Sequence, residues 1–395
     1  MKVLHLIYDY YPEAGGYTHR SKALFDVELK IGNQPVVAVG PYFYKEPTQN
    51  PNFKVYNCSH KHFFPRKVLA YRPEVIYSLV KDITEICRKE NVEVIHAHDP
   101  PLEGLAAMLA ARKLKVKWIY HIRGLSEETM RLSHPLPLII PRYLEYKAAR
   151  RIVLNRCKNV ITISEALKDH FSNEKNREKF HVLPNGVDVD KFRPGIDGSV
   201  VRKELGLEDK KIILHAGNIR EIEGLDLMLK ALPDILKDSK DVYFLILSNE
   251  NNKYVTDFLD LASRLGVKDH VSIIPNVKHD SVPAYIAASD LYVLPRRKNI
   301  VCDLVTPLKP YEPMAMEKSV LASDLRAFRE IIEPDVTGYL FEPDNPKDFA
   351  DKVTQILGNE KGRTNVGKNA RKWIIENRTW DAVGAKLKKI YEALQ

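Results

Sequence analysis

Short apolar runs bounded by turn residues alternate with longer amphipathic stretches along the whole chain. In the first half MKVLHLIYD, QPVVAVG, VEVIHAH, KWIYHI, KNVITIS and KFHVLP predict strands. Between them, VIYSLVKDITEICRKE and LEGLAAMLAARKL place apolar residues at three- and four-residue spacing, the helical repeat. The strand runs are continuously apolar and β-branched rather than alternating, which predicts strands covered on both faces and hence a parallel sheet. The rhythm breaks at PNGVDVDKFRPGIDGS, rich in Pro, Gly, Asn and Asp, and then restarts. KKIILHAG, DVYFLILS, HVSIIP, DLYVLP and KSVLASD predict a second set of strands, with helices such as GLDLMLKALPDILKD between them. The expectation is an α/β protein of two doubly wound, Rossmann-like domains. Their expected spans are residues 1–190 and 191–370, and 371–395, ending in the amphipathic DAVGAKLKKIYEALQ, forms a terminal helix that packs back on the N-terminal domain.

Composition narrows the function classes. The 395 residues are 44% apolar and 29% charged, with 18 Gly and 24 Pro, which excludes collagen-like, low-complexity and largely disordered chains. No apolar run approaches the roughly 18–20 residues of a membrane-spanning helix. The start lacks the small-residue cleavage site of a signal peptide, so a cytoplasmic, unprocessed protein is expected. Cys58, Cys87, Cys157 and Cys302 form no CxxC pair, which argues for reduced, buried thiols rather than zinc or a disulfide framework. The net charge of +9 fits an anionic small substrate or an anionic membrane surface. Nucleic acid is not expected, because Lys and Arg are interleaved with Asp and Glu and no basic arm appears.

Candidate chemistry clusters at predicted strand ends. The first strand runs into Gly15-Gly16, where backbone can approach a ligand closely, and Arg20 follows one helical turn later. There is neither a GxGxxG fingerprint nor a GxxxxGK[ST] loop, so a nicotinamide dehydrogenase or P-loop enzyme is not expected. His96 and His98 lie two apart on one strand face, followed by Asp99. Two such imidazoles could converge on a metal, but no third ligand follows in sequence, and hydrogen bonding to loops is the expected role. His121 and Arg123 end the next strand, where open α/β sheets bind ligands.

In the second half a strand empties into Gly217-Asn218-Ile219-Arg220, and Gly224 opens the following helix, a natural phosphate cradle. A later loop carries Arg296, Arg297 and Lys298, and Thr306-Pro307-Leu308-Lys309 precedes another helix. A lysine at a helix start opposes the helix dipole unless an anionic ligand sits there. Glu312, just beyond, is suited to accept hydrogen bonds from two ribose hydroxyls.

Several of these segments resemble the family-4 glycosyltransferases, retaining enzymes of the GT-B fold. Val160-Ile161-Thr162-Ile163-Ser164-Glu165, then Val182-Leu183-Pro184-Asn185-Gly186-Val187-Asp188 and Phe192, are similar to their inter-domain signature. Pro307-Leu308-Lys309 with Glu312, Ala315 and Met316, then Val320-Leu321-Ala322-Ser323-Asp324, resembles their donor-site helix and the strand after it; IIEPDVTGYLF (331–341) resembles the turn beyond. Within the family the chain looks nearest to bacterial enzymes of cell-surface polysaccharide synthesis. Many members carry an Arg after the first glycine and a Lys before the second, both gripping the diphosphate; here these are Asn218 and Glu223. The first of two familiar glutamates is Leu304.

The resemblance implies two domains facing across a cleft and transfer of a hexose from a nucleotide diphosphate sugar to a glycan or lipid-linked acceptor, with retention. It implies a donor site of Gly15, Gly16, Gly217, Asn218, Arg220, Arg296, Thr306, Pro307, Leu308, Lys309 and Glu312. His121, Lys309 and Glu312 are the expected catalytic set, with His121 bonded to a donor-sugar hydroxyl and Lys309 replacing the missing diphosphate cations, with Arg220 or Arg296. His98, Asp99 and Arg123 are assigned to the acceptor. No metal and no cofactor is implied, since a cationic side chain does what metals do elsewhere. A nucleotide-sugar epimerase or phosphorylase on the same architecture, or a non-catalytic sugar-binding protein, are the rival readings. Lipid-linked acceptors would bring the protein to the inner membrane face. Candidate cations for that face are Lys61, Arg66, Lys67, Arg142, Lys147, Arg150, Arg151 and Arg156, the last five in a helical stretch with apolar Leu144, Ala148, Ile152 and Leu154. Packing of that apolar stripe on the sheet is the alternative.

Overall fold

The computed structural model describes residues 1–12, 15–43, 45–58, 73–133, 136–249 and 252–394. The chain forms two compact units, Met1–Asn185 with Trp380–Gln395, and Gly186–Thr379.

The first unit holds a seven-stranded parallel sheet made of β1 (Lys2–Ile7), β2 (Gln34–Val39), β3 (Lys54–Asn57), β4 (Val94–His98), β5 (Lys117–Ile122), β6 (Val160–Thr162) and β7 (Phe180–Val182). Their order is β3-β2-β1-β4-β5-β6-β7, so the winding direction reverses between β1 and β4. Every residue of β4 is buried, His96 and His98 included, as expected of a central strand of a parallel sheet covered on both faces. One sheet face packs on helices through Leu4, Leu79, Ile83, Ile95, Ala106, Ala110 and Tyr120. The other face carries Val3, Val94, Ile119 and Ile161 beneath the terminal helix Trp380–Glu392, which contributes Val383, Leu387, Ile390 and Tyr391. Each such apolar side chain contributes roughly 1.5–3 kcal/mol on full burial, enough to hold a segment distant in sequence.

The second unit repeats the plan with β8 (Lys211–Ala216), β9 (Val242–Ser248), β10 (Val271–Pro275), β11 (Leu291–Leu294), β12 (Val320–Ser323) and β13 (Tyr339–Phe341). The order is β10-β9-β8-β11-β12-β13, all pairs parallel, and the reversal falls between β8 and β11. Ligands of open α/β sheets bind outside the carboxyl ends of strands at such a reversal.

The boundaries differ by a few residues from those expected. The first unit ends at Asn185 rather than 190, and its returning segment starts at Trp380 rather than 371. Residues 371–377 instead complete the helix Glu360–Asn377, whose Ala370 and Ile374 pack into the second unit. The strands β3 and β13 are not among those the sequence pattern predicts. Among the described residues no helix is long and apolar enough to cross a membrane.

Candidate functional site

The second unit gathers most of the expected donor residues at its strand reversal. β8 ends in Ala216, and Gly217 follows with φ +150°. A Cβ there would lie 2.4 Å from Lys309 Cε and 2.5 Å from its Nζ, so only glycine lets Lys309 lie across this turn. Gly224 adopts φ +66°, and a Cβ on it would fall 2.0 Å from the Pro295 carbonyl oxygen. The two glycines thus press the 217–224 turn against the loops that follow β11 and precede the helix Tyr311–Ala315.

Lys309 Nζ lies 2.9 Å from Glu223 Oε2, and Arg296 Nε lies 3.8 Å from the same oxygen. Burial pushes the Glu223 carboxyl up, but Lys309 and Arg296 more than offset this and hold it down at about 2. Glu223 is therefore an ionised counter-charge inside the cation cluster. Burial lowers Lys309, opposed by Glu223, and Arg220 adds positive charge nearby. His215 is fully buried, and its Nδ1 donates to the Val293 carbonyl at 3.0 Å. Burial and Lys309 hold it down at about 4, so it is neutral, with the Nε2 lone pair on the side of the Gly217 turn. Arg296 is buried and donates to the Val305 carbonyl, tying its loop to the Thr306-Pro307-Leu308 segment. Asn218 accepts from the Asn249 amide, and Arg220 is exposed.

Glu312 lies in the first turn of the helix Tyr311–Ala315, apart from Lys309's ion pair. Its Oε1 is 3.1 Å from His279 Nε2, while His279 Nδ1 is 2.8 Å from Lys191 Nζ. Lysine can only donate, so Nδ1 accepts and Nε2–H points at the carboxylate. Glu312 is thus oriented and partly exposed, ready to accept further donors.

The first unit holds a buried histidine cluster at its own reversal. His5 pairs in register with His96, and His98 with His121. Arg20 Nη2 is 3.2 Å from His121 Nε2, and His121 Nδ1 is 3.1 Å from His96 Nε2. His96 Nδ1 is 2.7 Å from the Tyr391 hydroxyl, which in turn donates to Glu28 Oε1. Arginine has no acceptor, so the proton positions follow: His121 and His96 both carry hydrogen on Nδ1. Burial and then neighbouring positive charge push His121 and His98 well below the usual histidine range, and burial does the same to His96.

This arrangement corrects one expectation. Both ring nitrogens of His121 are engaged and the ring is fully buried, so it has no nitrogen left for a sugar hydroxyl; Arg20 covers it. Asp99 is likewise enclosed. Its carboxylate accepts from Arg150 at 2.7 Å, from Ser126 at 2.9 Å and from Tyr120, and Arg150 also grips Glu127. Arg150 is 3% exposed, which removes it from the expected membrane-facing cations. His98 Nε2 bonds His5 Nδ1 at 2.9 Å. Arg123 donates to Ser21 Oγ at 2.6 Å, with its guanidinium over the Tyr17 ring. Gly15 and Gly16 open the helix Gly16–Lys30. The cations Lys61, Arg66 and Lys67 lie outside the described residues.

Among the described residues His5, His96 and His98 come close enough to share a metal, each offering a nitrogen within 4.8 Å of the others. Hydrogen bonds already engage His5 Nδ1, His98 Nε2 and both nitrogens of His96, and His5 Nε2 lies 3.1 Å from Glu28 Oε1, so only His98 Nδ1 stays without a partner. His5, Glu28 and Tyr391 were missed from sequence, because strand register and a helix returning from the far end of the chain bring them together.

Of Leu144, Ala148, Ile152 and Leu154, only Leu154 packs against the core; the other three are exposed. The helix Leu136–Arg156 turns Ala149, Val153 and then Cys157 inward at four-residue spacing, leaving Leu144 57% and Ile152 48% exposed. Lys147, Arg151 and Arg156 are exposed on the same helix.

Comparison with known proteins agrees with this architecture. Residues 199–373 match the family described as "Glycosyl transferases group 1", and residues 36–191 match "Glycosyltransferase Family 4". The spore coat protein SA of Bacillus subtilis is 28% identical over 62% of this chain and 68% of its own length. A sucrose-phosphate synthase of Thermosynechococcus elongatus superposes with a TM-score of 0.82 at 18% identity, covering 100% of this chain and 99% of its own. HepE of Anabaena, solved in complex with UDP, gives a TM-score of 0.78 at 17% identity over the whole of both chains. Two Rossmann-like sheets with reversals at β1/β4 and β8/β11, matched in sequence over both halves, place the chain among the family-4 glycosyltransferases of GT-B fold.

Proposed function

We propose that the protein transfers a hexose, with retention of anomeric configuration, from a nucleotide diphosphate sugar to a glycan or lipid-linked acceptor in cell-surface polysaccharide or glycolipid synthesis. The observation that carries the reading is the cluster of Lys309, Arg296 and Arg220 around the Gly217 turn at the β8/β11 reversal, with Glu312 nearby. Cations and a tight backbone turn suit a diphosphate, and an oriented carboxylate suits the ribose. HepE, of the same fold, binds UDP.

In this reading Glu312 accepts from the ribose hydroxyls, and Lys309 turns from Glu223 to the β-phosphate. The bond from the anomeric carbon to the β-phosphate oxygen breaks as the acceptor oxygen bonds on the same face. The acceptor's proton passes to the departing phosphate, whose growing charge Lys309 and the turn's backbone N–H groups stabilise. No metal or cofactor enters, because Lys309, Arg296 and Arg220 supply the positive charge. Leu144 and Ile152, flanked by Lys147, Arg151 and Arg156, form the face that would rest on an anionic inner membrane surface.

Incubation with a panel of nucleotide sugars tests the reading. Slow release of nucleoside diphosphate from one donor, accelerated by an acceptor, is expected. Conversion of the sugar with donor alone and no nucleotide release points to an epimerase, and tight binding without turnover points to a non-catalytic sugar-binding protein.

A further inference from the structure

Arg123 is a buried cation without a counter-charge. It follows β5 directly and is 8% exposed. Nη1 is spent on Ser21, but Nε and Nη2 are buried and have no hydrogen-bond partner. Among the described residues no carboxylate comes within ion-pair distance of it, and Asp99, the carboxylate whose charge acts on it, is bound by Arg150, Ser126 and Tyr120. The adjoining imidazoles of His98, His121 and His96 are neutral and cannot compensate it. A guanidinium taken out of water without an anion is costly, and native structures rarely leave one so.

Other unused hydrogen-bonding groups lie in the same neighbourhood. The guanidinium sits 4.7 Å from the ring centroid of Tyr17, in the first turn of the helix Gly16–Lys30. That 15-residue helix has Gly15 as its cap, no side-chain cap bond and no acidic residue in its first turn. The Thr18 hydroxyl of this turn and His98 Nδ1 are also buried without partners. There is room beside them, since a Cβ on Gly15 or Gly124 would meet nothing within 4 Å.

We infer that Arg123 and the first turn of the helix Gly16–Lys30 form an oxyanion site, and that the acceptor of this transferase carries a phosphate or carboxylate that docks there. A guanidinium whose Nε and Nη2 are both free can donate to two oxygens of one oxyanion, and helix-terminal amides favour the same charge. Naming the acceptor as the bearer rests on the transferase reading; the oxyanion site itself does not.

Calorimetric titration of the full chain with inorganic phosphate, glycerol 1-phosphate and acetate, each with and without saturating UDP, tests the inference. Binding of at least one of them is expected to persist when UDP fills the nucleotide site, and to weaken at least tenfold in Arg123→Gln. A preference for the phosphates over acetate assigns a phosphorylated acceptor, the reverse a carboxylated one. Arg123→Lys keeps the charge without the two-pronged geometry and should lose several-fold; it stands in should Arg123→Gln fail to give a cooperative melt. Unchanged affinity in the folded variants overturns the site. Oxyanion binding abolished by UDP overturns the acceptor assignment in favour of the donor's phosphates. Should none of UDP, GDP, ADP and dTDP bind, the nucleotide-sugar reading fails while the phosphate titration of the free protein still decides the role of Arg123.

Discussion

Lys309 Nζ rests 2.9 Å from Glu223 Oε2, so the cation best placed to grip a diphosphate is held by a carboxylate of its own chain. Glu223 is the acid just before Gly224, and the cation that meets it comes from the loop before the helix Tyr311–Ala315. Lys309→Ala should lower transfer roughly a hundred- to thousandfold, the loss typical of removing one charge-stabilising donor, about 2.7–4 kcal/mol. Glu223→Gln should do the opposite to binding. With its competitor neutralised, Lys309 should hold free nucleoside diphosphate about tenfold tighter, near 1.4 kcal/mol, in calorimetry. Weaker binding in Glu223→Gln would show that Glu223 supports the phosphate site rather than competing for it.

Glu312 should matter for every nucleotide donor, whichever sugar is attached. Glu312→Gln keeps the shape but replaces charge-assisted hydrogen bonds by neutral ones about half as strong. Affinity for free nucleoside diphosphate should fall several-fold, with little change in melting temperature because the side chain is partly exposed. Unchanged affinity places Glu312 outside the ribose site.

Buried neutral histidines make stability depend on pH with a definite sign. His96, His98 and His121 titrate below the usual value of about 6.5 in the folded protein, and His215 at about 4. Below pH 6.5 the unfolded chain takes up protons that the folded chain refuses, so each group removes up to about 1.4 kcal/mol per pH unit. Glu223 extends the loss on the acid side, from its unfolded value near 4.5 down to about 2. The melting temperature should therefore fall steeply from pH 6.5 to 5 and change little from 7.5 to 6.5. A melting temperature level across pH 7.5 to 5 contradicts the neutral, buried cluster.

What the sequence displays and what it hides divide along physical lines. The doubly wound halves were legible because continuous apolar strands such as PVVAV and VYFLIL leave no other way to be covered. Gly217, Lys309 and Glu312 were legible because strand-glycine-helix turns and a cation at a helix start are local patterns. The partners of those residues were not, since Glu223 against Lys309 and His279 against Glu312 join segments far apart in the chain. The enclosure of His121 depends on Arg20, His96 and the terminal-helix Tyr391, which no local pattern connects. The outward stripe of Leu144 and Ile152 was ambiguous because its helix has apolar residues on two faces, and only packing shows that Ala149 and Val153 take the inward one.

The exposed face of the helix Leu136–Arg156 should bind anionic vesicles at low salt. Attraction by surface lysines and arginines is screened within about 8–10 Å near physiological ionic strength, so co-sedimentation should fade as salt rises. Leu144→Asp with Ile152→Asp should abolish it without unfolding the chain, because both side chains are exposed. A protein that stays in the supernatant with anionic vesicles at low salt would turn the acceptor assignment toward a soluble glycan.

In the proposed reaction Lys309 stabilises the diphosphate leaving group of a retaining sugar transfer. The most direct measurement follows the best nucleotide-sugar donor by proton NMR with wild-type protein and with Lys309→Ala. It records both the anomeric configuration of the first-formed product and the rate of nucleoside diphosphate release. A product with the donor's configuration, and a release rate at least about a hundredfold lower in the variant, are expected. An inverted product, or release by Lys309→Ala at the wild-type rate, would contradict this mechanism.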